Sequence, residues 1–227
     1  SNVIDVKAKL EVEGISPRDK KDWIKKHVRL SLEKKGNTAV LTSHIENDGQ
    51  SLFKSLFNNG YAHINLTVKV PADMELNISD GSGEIKVKNI TGKMHIDDGS
   101  GYMDLHHVNG PLSIVDGSGE IEIRDCVKSI KINDGSGEIE IFGCGGSVEI
   151  DDGSGEIEIH DVAMDVTIED GSGEITIKNV KGSVHVSDGS GSIDIDVVGK
   201  DVTIKESGSG SVSISGVEGK IYRHDKD

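Results

Sequence analysis

Seven copies of the tetrapeptide Asp-Gly-Ser-Gly, starting at Asp80, Asp98, Asp116, Asp134, Asp152, Asp170 and Asp188, follow one another at 18-residue intervals. A repeat of fixed, short period constrains the fold more tightly than any local propensity, because every copy must solve the same packing problem in the same way. An eighth, degenerate copy starts at Ser207, with one residue inserted and serine in place of aspartate, as expected of a terminal repeat.

Numbering each unit from its Asp, position 6 is Ile85, Met103, Ile121, Ile139, Ile157, Ile175 and Ile193. Position 8 is Val87, Leu105, Ile123, Ile141, Ile159, Ile177 and Ile195. Positions 15 and 17 are also apolar, as in Ile130 with Ile132 and Val148 with Ile150, and the residues between are mostly polar. Alternation with period 2 denotes a strand with one buried face, so each unit reads as turn, strand, turn, strand. A fifth apolar position, 11, holds Ile90, Val108, Cys126, Cys144, Val162, Val180 and Val198. So short a unit cannot bury its own apolar face, and the copies must stack with equivalent strands paired in register. The expectation is an all-β fold, a single-stranded parallel β-solenoid of about eight 18-residue coils. At roughly 4.8 Å per coil, the stack would span on the order of 35 to 40 Å.

Charge divides the chain at the same place. Residues 1–79 carry 12 basic and 10 acidic side chains, net +2, whereas residues 80–205 carry 10 and 26, net −16. The expected organisation is an N-terminal cap region, 1–79, leading into a repeat solenoid, 80–227. In the cap, Val3 to Glu13 alternates as a strand. Ser16-Pro17 supplies an N-cap and a first-turn proline for a short basic helix near 17–27. Val28 to Leu32 and Thr38 to Ile45 flank Lys34-Lys35-Gly36-Asn37 as a hairpin, and Ile64, Leu66, Val68 and Val70 alternate up to Pro71. Leu52, Phe53, Leu56 and Phe57 form an apolar cluster in the loop 51–59, suited either to packing within the cap or to contact with a partner.

Net charge of −15 argues against a nucleic-acid partner, because phosphate backbones are held by clustered Lys and Arg. No stretch approaches the roughly 20 apolar residues of a membrane helix. The opening Ser1-Asn2 reads as the scar of a cleaved tag, so an export signal is expected to have been trimmed away. Aromatic residues make up 3% of the chain, too few for a wide interior but compatible with a thin core of Ile and Val.

The segment Asn65 to Ile78 (NLTVKVPADMELNI), followed by repeated Asp-Gly-Ser-Gly-Glu-Ile and Val-x-Gly-x-Val-x-Ile, resembles the bacterial adhesin family of unknown function over roughly residues 60–221. The resemblance implies a β-solenoid in an exported or envelope-associated protein, with no established activity.

Several chemistries are disfavoured by pattern. Asp-Gly-Ser-Gly-Glu-Ile imitates part of an EF-hand loop, but the first ligand would fall on Ile78, Ile96, Ile114, Ile132, Ile150, Ile168 or Val186. A nonapeptide calcium roll places Asp after its glycines, whereas Asp precedes them here. The nine His and two Cys lack zinc spacing, the serines lie in repeated turns without a nucleophile elbow, and no Lys follows the glycines as in a phosphate loop. No catalytic residue is assigned. Hydrolysis by paired carboxylates needs acid and base across a cleft that unvaried coils do not supply.

In-register stacking places Asp98, Asp116, Asp134, Asp152, Asp170 and Asp188 in one column and Glu120, Glu138, Glu156 and Glu174 in another. Like charges about 4.8 Å apart repel by roughly 1 kcal/mol per pair in water. Either the aspartates accept hydrogen bonds from turn backbone N–H groups, or the columns gather Ca²⁺ or another hard cation. Glu120/Glu122, Glu138/Glu140 and Glu156/Glu158 form an outer acidic patch, read either as a solvated face or as a dock for a basic partner or cation-bridged polymer. Cys126 and Cys144 occupy one position in adjacent coils, as two buried thiols or as a disulfide in an oxidising compartment.

The functional expectation is a non-enzymatic, extracytoplasmic structural or adhesin-like protein of the periplasm, envelope or cell surface, whose partner would be a surface protein or glycan. The alternatives are a calcium-binding module, a polysaccharide-active enzyme on a solenoid face, or a scaffold that polymerises end to end.

Overall fold

The computed structural model describes residues 3–46 and 62–224. The chain divides into two compact units, residues 1–71 and 72–227. The loop cluster Leu52, Phe53, Leu56 and Phe57 lies outside the described residues.

In the first unit, strand β1 (Asp5–Val12) pairs antiparallel with β4 (Ala62–Lys69), from Asp5 opposite Lys69 to Val12 opposite Ala62. Helix α1 (Pro17–His27) starts as its sequence dictates. Ser16 is extended (φ −60°, ψ 145°), its Oγ accepts the Asp19 N–H at 3.3 Å, and Pro17 opens the first turn. Lys25, Lys26 and His27 occupy the last turn, where cations offset the negative end of the helix dipole. The helix buries Trp23 beside Val12, and Leu10, Ile15, Ile24, Val28, Ile45 and Ala62 pack around that pair. The hairpin joins β2 (Val28–Lys35) to β3 (Thr38–Ile45), with Gly36 at φ 64° in the turn.

The second unit is the expected parallel β-solenoid of about eight turns. Its short strands are β5 (Leu76–Asp80), β7 (Met94–Asp98), β9 (Leu112–Asp116), β11 (Ile130–Asp134), β13 (Val148–Asp152), β15 (Val166–Asp170), β17 (Val184–Asp188), β19 (Val202–Glu206) and β21 (Ile221–Arg223). They form one nine-stranded parallel sheet. The longer strands β6 (Gly83–Ile90), β8 (Gly101–Val108), β10 (Gly119–Cys126), β12 (Gly137–Cys144), β14 (Gly155–Val162), β16 (Gly173–Val180), β18 (Gly191–Val198) and β20 (Val212–Val217) form an eight-stranded one. Partners lie 18 residues apart through most of both ladders, as in Ile121 opposite Ile139 and Ile150 opposite Ile168. At the end the interval becomes 19, with Ser187 opposite Glu206 and Ile193 opposite Val212, which is the residue inserted before the eighth copy.

Two backbone devices close each coil. The fourth residue of Asp-Gly-Ser-Gly lies at φ between 131° and 153° from Gly83 through Gly191. From Gly101 onward a Cβ there would also collide with the preceding coil: on Gly155 it would sit 1.7 Å from the Gly137 carbonyl oxygen. At the far corner, position 10 is left-handed in Asn89, His107, Asp125, Gly143, Asp161, Asn179, Val197 and Gly216. That single residue breaks the alternation, so position 11 turns inward after position 8, which explains a fifth apolar column three residues on from the fourth. Chains of Ile, Val, Leu and Met then fill the space between the sheets, with Met94, Leu105, Ile139, Ile157 and Ile177 fully buried.

Candidate functional site: an interior aspartate column and an outer acidic face

Each short strand points positions 15 and 17 inward, and the next residue on that face is the Asp that opens the following turn. Asp98, Asp116, Asp134, Asp152, Asp170 and Asp188 are therefore core residues, 1–7% exposed. They lie in register, Asp98 opposite Asp116, Asp116 opposite Asp134 and so on to Asp188. The sequence placed them in one column; their burial was missed, although the period-2 count from position 17 to the next Asp carries it.

Some of their oxygens serve the turn. The Gly99 N–H donates to Asp98 Oδ1 at 2.9 Å, the Ser172 N–H to Asp170 Oδ1 at 3.1 Å and the Ser190 N–H to Asp188 Oδ1 at 2.9 Å. The rest are orphaned: Asp98 Oδ2, Asp116 Oδ1, both oxygens of Asp134 and of Asp152, Asp170 Oδ2 and Asp188 Oδ2 are buried without a hydrogen-bond partner. Burial raises all six carboxyls above the ordinary range, and Asp134 and Asp170 are pushed up to about 6, by burial first and by neighbouring aspartates second.

Outside, the long strands expose positions 5, 7 and 9. Glu120, Glu138, Glu156 and Glu174 form the expected exposed column, with Glu122, Glu140 and Glu158 half-buried beside it. Burial first, and then crowding by Glu138, Glu122 and Glu158, raises the Glu140 carboxyl. Sequence reading did not pick out the third column, position 9, although its members are also 18 residues apart. The Arg124 guanidinium lies 4.6 Å from the Phe142 ring centroid, and Phe142 stacks on His160 at 5.1 Å. Arg124 also bonds Glu122 and lies 3.7 Å from Glu140, and His160 Nε2 is 2.7 Å from Glu158. The Tyr102 hydroxyl donates to Glu122 at 2.5 Å, and that bond, with Arg124, lowers the Glu122 carboxyl. The patch is thus acidic at its rim, and along one edge Arg124 offsets part of that charge beside the stacked Phe142 and His160 rings.

Cys126 and Cys144 lie opposite each other as buried free thiols, and burial pushes Cys126 up to about 12 and raises Cys144. Among the described residues, no three His, Cys, Asp or Glu groups converge on a point where a metal ion could sit. Also among them, no helix is long and apolar enough to cross a membrane.

Two in-register parallel ladders closed by glycine turns define a protein of the β-solenoid class. The chain belongs to the Toastrack DUF4097 family, a domain of unknown function, whose model matches residues 7–223. No curated protein and no solved structure matches the chain.

Proposed function

We propose that this is a non-enzymatic, adhesin-like structural module that works outside the cytoplasm, at the cell envelope or surface, and offers the outer face of its eight-stranded sheet to a surface protein or glycan. The observation that carries this reading is the constant 18-residue register of the two ladders from Asp80 to Asp188. Every coil commits its inward residues to packing, and from Asp80 to Asp188 the 18-residue interval admits no inserted loop that could wall a substrate cleft. What varies from coil to coil is the outer face, where Glu120, Glu138 and Glu156 stand beside the Arg124, Phe142 and His160 column.

Labelling of intact producing cells with an antibody against the solenoid tests this. Signal on unbroken cells, or after opening of an outer envelope alone, is the expected result. Signal only after release of the cytoplasm overturns the reading.

A further inference from the structure

We propose that Asp98, Asp116, Asp134, Asp152, Asp170 and Asp188 form a proton-binding column in which carboxyls of successive coils share protons in mildly acidic solution, so that folding takes up protons there and acidification tightens the solenoid.

Three observations converge on this. Register sets each carboxyl beside the next at the strand spacing, roughly 4.8 Å, close enough for one side chain to reach its neighbour. All six are at least nine-tenths buried, so charge there lacks the hydration that would make six carboxylates tolerable. Each also keeps at least one buried oxygen outside good hydrogen-bond geometry, and at Asp134 and Asp152, in mid-column, the turn N–H groups of Gly135 and Ser136 and of Gly153 and Ser154 offset only part of the effect of burial. An orphaned buried carboxylate is costly; a carboxylic acid donating to its neighbour's carboxylate satisfies both groups with one short, charge-assisted hydrogen bond.

Among the described residues, no counter-charge faces the column. Along its own sheet it meets Asp80 at one end and, beyond Asp188, Glu206, which has slipped opposite Ser187. Asp151, the outward neighbour of Asp152, adds a further negative charge. From the eight-stranded sheet the inward residues are Ile, Met, Leu and Val, and the Cys126 and Cys144 thiols are the titratable groups among them. None of these is cationic. A calcium ion takes roughly six to eight oxygens, and no three carboxylates converge on one point among the described residues, so protons fit the column better than a metal. The raised carboxyls of Asp134 and Asp170 accord with this. Two carboxyls held close behave as a pair and retain roughly one shared proton well above the ordinary carboxylate range.

The sign follows from linkage. Folded carboxyls that titrate near 6, against 3.8 in the open chain, contribute stability that is complete below 3.8 and lost as pH rises through about 6. On lowering pH from about 7.5 to about 5.5, Tm should rise by about 5 °C.

The test joins thermal unfolding across this pH range to NMR titration of ¹³Cγ-labelled aspartate in the wild-type chain. The double substitution Asp134→Asn and Asp170→Asn supplies amide N–H donors that do not titrate. It should hold Tm at neutral pH at or above the wild-type value and flatten most of the rise. Glu138→Gln with Glu156→Gln, on the outer face, should leave the rise in place. In the wild-type spectra, at least two buried aspartates should titrate above pH 5, a readout that survives even if the Asn variant fails to fold. Titration of every aspartate below about pH 4.5 overturns the proposal, as does an undiminished rise in a folded Asn variant. A saturating, Ca²⁺-selective rise of Tm at neutral pH that EDTA reverses also overturns it, by assigning the column to cations.

Discussion

At the scale of single residues, the coil depends on two positions set by backbone conformation, the fourth-position glycine and the left-handed tenth residue. Gly155 lies at φ 150° and a Cβ there would overlap the Gly137 carbonyl, so Gly155→Ala should lower stability by on the order of 3 kcal/mol. Gly81 opens the first turn, and nothing lies within 4 Å of the place its Cβ would take. Gly81→Ala should therefore be close to neutral in a urea titration, and equal losses at the two sites would contradict the account of the turn. Val197 is the opposite case. It adopts φ 58° at a corner where the other coils use Asn, Asp, His or Gly, and it is 48% exposed, so its branched side chain strains the backbone without filling the core. Val197→Asn should stabilise the solenoid by about 1 kcal/mol, read as a higher urea midpoint at unchanged slope.

At the scale of elements, each strand is specified by its neighbours in the ladder more than by itself. A five-residue strand such as β13 has little intrinsic stability, and it holds because Val148 and Ile150 continue the columns of Ile130 with Ile132 and of Val166 with Ile168. Cys126 and Cys144 fill such a column as small apolar groups. Their buried thiols should resist a disulfide reagent in native buffer and both react once urea opens the coils, a contrast followed by absorbance. Rapid labelling of native protein would mean that β10 and β12 part readily, and no labelling even in urea would mean a disulfide. Period and register were legible in the sequence, as were the capped helix and the hairpin. The burial of the aspartates was harder to see, because a charged residue in a turn reads as exposed until the turn is known to fold back over its own core.

At the scale of the whole solenoid, coils are interchangeable parts. Deleting residues 135–152 removes one 18-residue period and leaves every remaining column aligned. The shortened chain should keep its circular dichroism and unfold cooperatively with a denaturant slope reduced by about one eighth. Removing half a coil, residues 135–143, should abolish the ladder beyond the cut, because the short strands would then meet long ones.

By itself the sequence determined that this chain stacks. An exact 18-residue period with apolar residues at fixed positions has one economical solution, since each unit is too small to bury its own face. Which polar residues lie inside was decided only by the tertiary structure. Alternation says that two residues share a face, but the closing of the turn and the left-handed residue at position 10 determine which faces meet. Those closures bring six carboxylates into the core and set Arg124 over Phe142 on the outside, arrangements that depend on neighbours a whole coil away in the chain.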